Sequence, residues 1–263
     1  MSWVVKLTLP VVLVLSLTST VSFAQDSMAS KQQRFNQTQE HKVLIKMSLK
    51  EMFIDANVRK LADAAGDGDI DLIEQMLAQG VDVNARGTSN ATPLFWAMKD
   101  SDGFKKLLEA GADPNVVFDD GGSVMHWAAR MEDSRFLALA LKHQGNPDLR
   151  AGMFMETPLF SATGRPDNVA LLVQNKGDIN ARSQRVNPFT DQVVGETPVM
   201  DAAQKHQFDT VLQLLKLGAD HQIINGNGKS LLDVLNTFDG LLDPKSKEAK
   251  ALGEVDHWLK NKR

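Results

Sequence analysis

The residues whose types and spacing come closest to a chemical site are Gly228-Lys229-Ser230, in the stretch NGNGKS at 225–230. They resemble the end of a phosphate-binding loop, in which backbone amides and a lysine hold nucleotide phosphates. A complete loop needs a glycine five positions before Gly228, where this chain has Ile223, and a strand leading into it. We therefore interpret the stretch as a turn with Lys229 on its rim.

Other patterns also fall short of a catalytic site. Gly121-Gly122-Ser123 begins like the turn that exposes a nucleophilic serine, but Met125 stands where that motif requires a second glycine. The six histidines are scattered, at positions 41, 126, 143, 206, 221 and 257, without the clustering of metal ligands. The absence of cysteine excludes disulfides, thiolate zinc sites and a cysteine nucleophile. We therefore expect no enzymatic activity, no cofactor and no metal site.

Composition and charge narrow the class of partner. The chain has 263 residues, of which 43% are hydrophobic and 24% charged, and its formal net charge is -4. Unspecific binding of nucleic acid needs a basic face that displaces counterions, and this mild acidity argues against it. The composition is typical of a soluble globular protein, and its length allows one large or two small domains.

The N-terminus has the composition of an export signal. Within residues 1–24, Lys6 is the single charged side chain, and the apolar run Leu7–Leu17 is followed by the small-residue pattern SFA. This order predicts a secretory signal peptide cleaved before Gln25, with an uncleaved membrane anchor as the alternative. Residues 25–41 are polar and aperiodic, which predicts a disordered tether.

The export signal also bears on localisation. An exported chain without cysteine fits a bacterial periplasm better than a eukaryotic secretory route, and a secreted protein is the alternative. Once the signal is cleaved, we expect no membrane association.

An internal repeat organises the rest of the chain. One phrase recurs as TPLFWAM at 92–98, SVMHWAA at 123–129, TPLFSAT at 157–163 and TPVMDAA at 197–203, with a fainter copy, SLLDVLN, from 230. Each copy is followed by a helical apolar pattern and then by a glycine phrase such as GVDVNAR (80–86) or GADPN (111–115). Repeats at this spacing bury their apolar faces by stacking on one another.

The residue types explain how each repeat would fold. Threonine followed by proline, as at Thr92-Pro93, supplies an N-cap and a first helical residue that needs no N–H. The same pair recurs at 157–158 and 197–198. Glycine follows each second helix, at Gly80, Gly111, Gly145, Gly177 and Gly218, where a left-handed C-cap favours it. These signals predict pairs of short helices joined by turns.

These copies resemble the ankyrin repeat. The resemblance covers roughly residues 57–240, and it predicts an all-α fold, an ankyrin-repeat solenoid of helix-turn-helix repeats with β-turn fingers and a helical C-terminal cap. We place the domain at 42–263, with repeats at about 57–87, 88–118, 119–152, 153–192, 193–225 and a degenerate 226–240. A capping helix is predicted at 244–262, with Asp243 as its N-cap, and a further helix within 43–56. An insertion of about seven residues lies within 183–196.

The resemblance also assigns roles to single residues. His126 occupies the histidine position of the repeat phrase, where the family uses the ring to link neighbouring turns by hydrogen bonds. Trp96 and Trp127 stand at positions that we interpret as core rather than as a stacking surface. Arg150, Arg182 and Arg185 are interpreted as a charged rim, or singly as solvated side chains.

Ankyrin proteins usually hold a partner with their finger tips and with the exposed ends of the first helices. Turn tips are normally polar, but these carry large apolar groups, which predicts an exposed contact patch. The alternative is that the insertion folds back and buries them. The predicted partner-binding residues are Phe118, Asp119, Asp120, Arg130, Met131, Met153, Phe154, Met155, Arg165, Phe189, Val193, Val194, Gln204 and Lys205.

We therefore expect a monomeric binding module for another protein. Some exported bacterial ankyrin proteins neutralise a toxin, so the resemblance implies an immunity-type role as one form of this function. A periplasmic scaffold for envelope or redox enzymes and an effector acting in a host cell are the alternatives.

Overall fold

The computed structural model describes residues 47–262. The predicted signal peptide, 1–24, and the predicted tether, 25–41, lie outside the described residues. Over 47–262 the chain contains helices and turns but no β-strand, only three isolated antiparallel bridges. The predicted all-α class is therefore confirmed.

Six helix pairs follow one another along the chain. The short helix α1 (Leu49–Met52) precedes them. The first helices of the pairs are α2 (Ala56–Asp67), α4 (Pro93–Trp96), α6 (Val124–Arg130), α8 (Pro158–Ser161), α10 (Pro198–Gln204) and α12 (Leu231–Asn236). The second helices are α3 (Ile70–Ala78), α5 (Ser101–Glu109), α7 (Arg135–Lys142), α9 (Pro166–Gln174), α11 (Phe208–Lys216) and α13 (Lys247–Asn261). Two 3₁₀ turns, Thr88–Asn90 and Ala97–Lys99, flank α4.

Side-chain caps fix where several helices begin. Asp55 accepts hydrogen bonds from the first backbone amides of α2, Asp69 does so for α3 and Asp100 for α5. Such a cap satisfies amides that have no partner within the helix, and removing one costs about 1 kcal/mol. Ser230 caps α12 in a reciprocal capping box with Asp233. The stretch NGNGKS is therefore a turn that ends in a helix cap, as predicted.

The prediction of glycine C-caps is correct for three repeats and wrong for two. Gly80, Gly111 and Gly218 have positive φ, but in the third and fourth repeats Gln144 and Lys176 take the left-handed conformation instead. Gly145 is required for another reason, because a Cβ there would lie 2.5 Å from Met125 Sδ. At that position a close approach to α6, rather than a positive φ, excludes a side chain.

The core runs through the stack between the first and second helices. It is made of fully buried aliphatic side chains and small residues from every pair, with Phe104 of α5 packed edge-to-face on Phe136 of α7 at 5.2 Å. An edge-to-face pair contributes about 0.5–1.5 kcal/mol beyond the area that it buries.

A ladder of polar side chains joins each repeat to the next. In the turn after each second helix, an Asn or Asp oxygen accepts the backbone N–H of the equivalent turn one repeat further along. The four rungs are Asn84 to Asp113 at 2.8 Å, Asn115 to Asn146 at 2.6 Å, Asp148 to Asp178 at 2.7 Å and Asn180 to Asp220 at 2.9 Å. The ladder fixes the spacing of successive repeats with groups that would otherwise need water.

The two ends of the stack differ from the sequence prediction. At the C-terminus, Ser246 rather than Asp243 caps α13, so the helix begins three residues later than predicted. Lys247 pairs with Asp209 of α11 at 3.2 Å, and Trp258 is half-buried against the last repeat. At the N-terminus, the helix predicted within 43–56 is limited, in its described part, to the four residues of α1.

Candidate functional site

Beyond the turn at Thr88–Asn90, which leads into α4, four further turns each lead into a first helix. We call them the first finger (117–123), the second finger (151–156), the third finger (183–196) and the fourth finger (224–229). Antiparallel bridges close the first three, between Val117 and Ser123, Ala151 and Glu156, and Val186 and Val193. Backbone bonds also join neighbouring fingers, because Gln184 N donates to Phe154 O at 2.7 Å and Gly226 N to Val194 O at 2.5 Å.

The first two fingers touch directly. Gly121 has φ 81°, and a Cβ on it would lie 2.8 Å from the Cα of Gly152. A side chain is therefore excluded both by the left-handed backbone and by the neighbouring finger.

Exposed apolar side chains occur on all four fingers. They are Val117, Met155, Phe189, Val193 and Ile224. Phe189 is 94% exposed, at the tip of the third finger. Met153 and Phe154 of the second finger are half-buried, and Asp119 of the first finger is exposed. The alternative in which the insertion folds back and buries its apolar groups is therefore wrong for Phe189 and Val193.

Three of the predicted contact residues are buried, and their expected exposure is wrong. Phe118 is 2% exposed, because its ring turns inward and packs edge-to-face on Phe95 at 5.0 Å. Asp120 is buried and accepts a hydrogen bond from Gly122 N at 2.7 Å. Val194 is buried in the base of the third finger, where its N–H donates to Arg185 O at 2.7 Å.

The residues predicted at the ends of the first helices lie beside the fingers. Arg130 is exposed and stands 5.4 Å above the Trp127 ring. Arg165 donates from Nε to Arg130 O at 3.0 Å. Met131 is half-buried, while Gln204 and Lys205 are exposed.

Both tryptophans predicted as core are half-buried. Trp96 and Trp127 pack on the core with one side, and Lys99 Nζ lies 3.2 Å from the centre of the Trp96 ring. They occupy the same place in successive first helices, beside the fingers. The prediction that both rings pack on the core is therefore correct, but neither ring is fully buried.

His126 links the first and second fingers. Its Nδ1 lies 2.7 Å from Ser123 Oγ and its Nε2 lies 2.9 Å from Glu156 O. A neutral ring with the proton on Nε2 satisfies both contacts, since the serine hydroxyl then donates to Nδ1 and Nε2–H donates to the carbonyl. Burial lowers the pKa of His126, which favours this neutral form.

The next two repeats lack this histidine. Phe160 and Met200 take its place, and both are buried. The hydroxyls of Thr157 and Thr197, predicted from sequence to cap these helices, make no capping hydrogen bond, so these two predicted side-chain caps are wrong. Both hydroxyls are buried and have no hydrogen-bond partner among residues 47–262.

Arg185 of the third finger replaces the missing links. Its Nη2 donates to Glu156 Oε1 at 2.8 Å and lies 3.5 Å from Asp201 Oδ1, while Nη1 lies 3.7 Å from Glu196 Oε2. Asp201 is 1% exposed and also pairs with Lys205 at 2.5 Å. Burial is the largest single effect on the pKa of Arg185 and lowers it, but the carboxylates of Glu156, Asp201 and Glu196 together outweigh burial and raise this pKa, so the guanidinium remains charged.

A polar chain therefore runs under the fingers. It passes from Ser123 and His126 through Glu156, Arg185 and Asp201 to Lys205, and it joins α6 to α10 through the second and third fingers. Arg150 and Arg182, interpreted from sequence as rim or solvated charges, instead tie fingers together. Arg150 donates to Met155 O and Arg182 O, and Arg182 donates to Gly195 O and Ile224 O.

A cleft of about 300 Å³ opens between the first and second fingers. Its walls are the half-buried rings of Trp127 and Phe154, and Arg185 holds Phe154 with its guanidinium 4.8 Å from the ring centre. Glu156 and Ser161 are among the polar residues of the lining. The residues between 47 and 262 include no cluster of three His, Cys, Asp or Glu side chains that would hold a metal ion.

Comparison with known proteins identifies the repeats. A family model described as ankyrin repeats, in three copies, matches residues 61–149. Residues 61–149 therefore contain ankyrin repeats. Ankyrin repeats are a general module for binding other proteins, and the fold is typically non-catalytic. Within residues 47–262, no helix is long and apolar enough to cross a membrane.

Relatives and solved structures agree with this family. The chain is 34% identical over 104 residues to protein PhlB of Serratia liquefaciens, a match that covers 39% of this chain and 45% of that one. It is 26% identical over 184 residues to a putative palmitoyltransferase ZDHHC13 of Danio rerio, covering 68% of this chain and 27% of that protein. The chain thus spans less than half the length of either relative.

An ankyrin repeat domain from Acinetobacter baumannii AYE shares the fold of this chain. The TM-score is 0.59 at 23% sequence identity, and the match covers 73% of this chain and 95% of that domain. The predicted ankyrin-repeat architecture is therefore confirmed.

Sequence reasoning missed the acidic residues that hold Arg185 and so link the fingers. Glu156, Glu196 and Asp201 were not singled out, although buried acids next to an arginine mark a specific site. The signal available was the loss of the repeat histidine at Phe160 and Met200, which leaves a link to be replaced. The insertion next to those repeats supplies Arg185 for that purpose.

Proposed function

We propose that this ankyrin-repeat protein is exported and binds another protein with its four fingers and the adjoining first helices. The observation that carries the proposal is the exposure of Phe189 at the tip of the third finger, in line with apolar side chains on the other fingers. A patch of exposed apolar side chains, to which all four fingers contribute here, usually marks a contact site.

The size and chemistry of this face support a protein partner. Successive repeats are spaced about 10 Å apart, so the four fingers span a surface large enough for a standard protein interface. The face combines aromatic rings, methionines and arginines, and aromatic side chains, Met and Arg are enriched at protein interfaces. Methionine side chains such as Met153 and Met155 adapt to the shape of a partner.

The proposed partner is a protein that the chain neutralises or regulates, in the manner of an immunity protein against a secreted toxin. We expect no catalytic activity, no cofactor and a monomer. A periplasmic scaffold or an effector that leaves the cell would use the same face, and the partner's response distinguishes them.

The binding test compares two exposed apolar positions. The tagged protein is incubated with extract of the producing organism, and captured proteins are quantified by mass spectrometry. Phe189→Ser is expected to weaken capture of one stoichiometric partner at least about tenfold, as for a central interface residue. Leu241→Ser is the matched control, because Leu241 is also exposed, at 75%, but follows α12, away from the fingers.

The outcomes separate the possible roles. Equal capture by both variants, or no partner with the wild-type protein, would contradict the proposed binding face. Loss of the partner's own activity on binding supports neutralisation, whereas retained activity supports a scaffold.

Export is tested separately. We expect the purified protein to begin at Gln25, as measured by intact mass, and to fractionate with the periplasm. A mass that includes residues 1–24 would contradict cleavage, and recovery from the culture medium or from host cells would favour the effector role.

A further inference from the structure

The cleft between the first and second fingers has the dimensions of a socket for one side chain. Its two walls, Trp127 and Phe154, are both half-buried and come from different repeats. Gly121 and Gly152 bring the two fingers into contact, and both glycines line the cleft. At about 300 Å³, it is at the lower limit of cavities that hold small molecules.

The charges around the cleft discriminate against ions. The guanidinium groups of Arg130 and Arg185 already lie over the Trp127 and Phe154 rings, at 5.4 Å and 4.8 Å. A third cation would meet two like charges at short range. An anion would meet the carboxylates of Asp120 and Glu156, which also line the cleft or its base. A neutral group is therefore favoured.

The polar atoms of the lining favour a hydrogen-bond donor. Glu156 binds Arg185 through Oε1, and a carboxylate has further acceptor sites in addition to that bond. Ser161, whose hydroxyl can also accept a hydrogen bond, belongs to the same lining. A phenylalanine side chain would fill the space between the rings but would leave these acceptors without a donor, which costs affinity.

We propose that this cleft receives a tyrosine side chain of the protein partner, with its ring between Trp127 and Phe154 and its hydroxyl donating towards Glu156 or Ser161. The inference rests on the proposed function, because it names the group that the partner presents to the binding face. Tyrosine combines a flat apolar body with a polar tip and is enriched among the residues that dominate interface energies.

The test uses capped amino acids as probes. N-acetyl-tyrosinamide, N-acetyl-phenylalaninamide and N-acetyl-argininamide are titrated separately into the ¹⁵N-labelled protein, and indole N–H resonances are followed by NMR. The Trp127 signal is assigned by its absence from Trp127→Phe. We expect the tyrosine probe to shift this signal with a dissociation constant of about 1 mM, and about fivefold more tightly than the phenylalanine probe. The arginine probe should bind more weakly still.

Two variants check the location. Phe154→Ala removes one wall and should weaken the tyrosine probe at least about fivefold, and Met153→Ala provides a second change in the same finger if Phe154→Ala fails to fold. Phe189→Ala is the control, since it lies outside the cleft and should leave the dissociation constant unchanged.

Several results would overturn the inference. They are equal or tighter binding of the arginine or phenylalanine probe, a larger shift of Trp96 or Trp258 than of Trp127, or no effect of either cleft variant. If the partner of the pull-down is still lost with Phe189→Ser while the probes fail, the binding face stands and only the tyrosine socket is wrong.

Discussion

The first and third fingers carry the same sequence signal, a phenylalanine in a turn, with opposite outcomes. Phe118 lies next to the bridge that closes a short turn, so its ring points inward and packs on Phe95. Phe189 lies at the tip of a longer hairpin, beyond the reach of the helices, and is almost fully exposed. The length of the turn, rather than the residue type, decides whether an aromatic side chain stabilises the fold or faces a partner.

The two fingers also differ in how they are held. The first finger is linked to the second by a neutral histidine that bonds to a backbone carbonyl. The third finger is held by a charged arginine among three carboxylates. The histidine link requires the ring to stay neutral, so it responds to pH. The arginine link requires the charged guanidinium of Arg185.

The largest expected effect tests the phenylalanines. Phe118→Ser should lower the free energy of unfolding by about 3–5 kcal/mol, because it removes a fully buried ring and leaves a cavity. Phe189→Ser should change it by less than about 0.5 kcal/mol. Urea unfolding followed by circular dichroism measures both. Similar losses in the two variants would mean that the third finger is packed like the first.

Arg185→Met comes next in magnitude. It leaves Glu156, Glu196 and Asp201 without their shared guanidinium, and breaking a buried ion pair typically costs about 3 kcal/mol or more. Since Lys205 still pairs with Asp201 and Arg185 is partly exposed, we expect a loss of about 2–3 kcal/mol in urea unfolding. Arg86→Met is the matched control on an exposed arginine and should be neutral. A neutral result for Arg185→Met would show that the third finger is not held by these charges.

The histidine link predicts a pH dependence that the arginine link lacks. Burial lowers the pKa of His126 in the folded protein, opposed by the bond to Glu156 O and assisted by Arg130. The unfolded state therefore takes up the proton first, so the contribution of His126 is complete above the unfolded pKa of about 6.5 and is lost as pH falls below it. The slope for one group is at most about 1.4 kcal/mol per pH unit.

The variant His126→Phe isolates that slope. The difference in unfolding free energy between wild type and variant should be constant from pH 7 to 8 and should shrink between pH 6.5 and 5, in the range set by the unfolded pKa. The other histidines are present in both proteins and cancel. A difference that does not change with pH would mean that the ring is accessible to protons in the folded state.

The smallest expected effect concerns the buried threonine hydroxyls in the repeats that have no histidine at the position of His126. Thr157→Val removes a buried hydroxyl without a partner among the described residues, and it should stabilise the protein by about 0.5–1 kcal/mol. Ser123→Ala removes a hydroxyl that caps α6 and bonds His126, so it should destabilise by about 1–2 kcal/mol. Thermal unfolding of the two variants gives the sign of each change.

Much of the fold is readable from sequence because its signals are local. The Thr-Pro starts and the glycine phrases mark helix ends within a few residues, and the role of His126 follows from its place in the repeat phrase. Whether Phe118, Asp120 and Val194 are buried depends on the direction in which their turns fold, and the repeat phrase does not determine that direction.

The candidate site was less readable because it is assembled from distant parts of the chain. Arg185 interacts with Glu156, 29 positions earlier, and with Asp201, 16 positions later. No fixed sequence spacing places these three residues together, because the insertion between the repeats determines how closely they approach one another. In the sequence, only the absence of the repeat histidine, at Phe160 and Met200, indicated that another residue must link these fingers.

The closed base of the third finger separates its outer end from the helix stack. Ser183 N donates to Glu196 O at 2.9 Å, so the hairpin leaves and rejoins the solenoid at a single hydrogen-bonded pair. Residues 187–192 form its outer end and are mostly exposed. Because this outer end lies beyond the closed base, substitutions or grafted segments there should change the exposed surface of the finger while the helix stack stays folded.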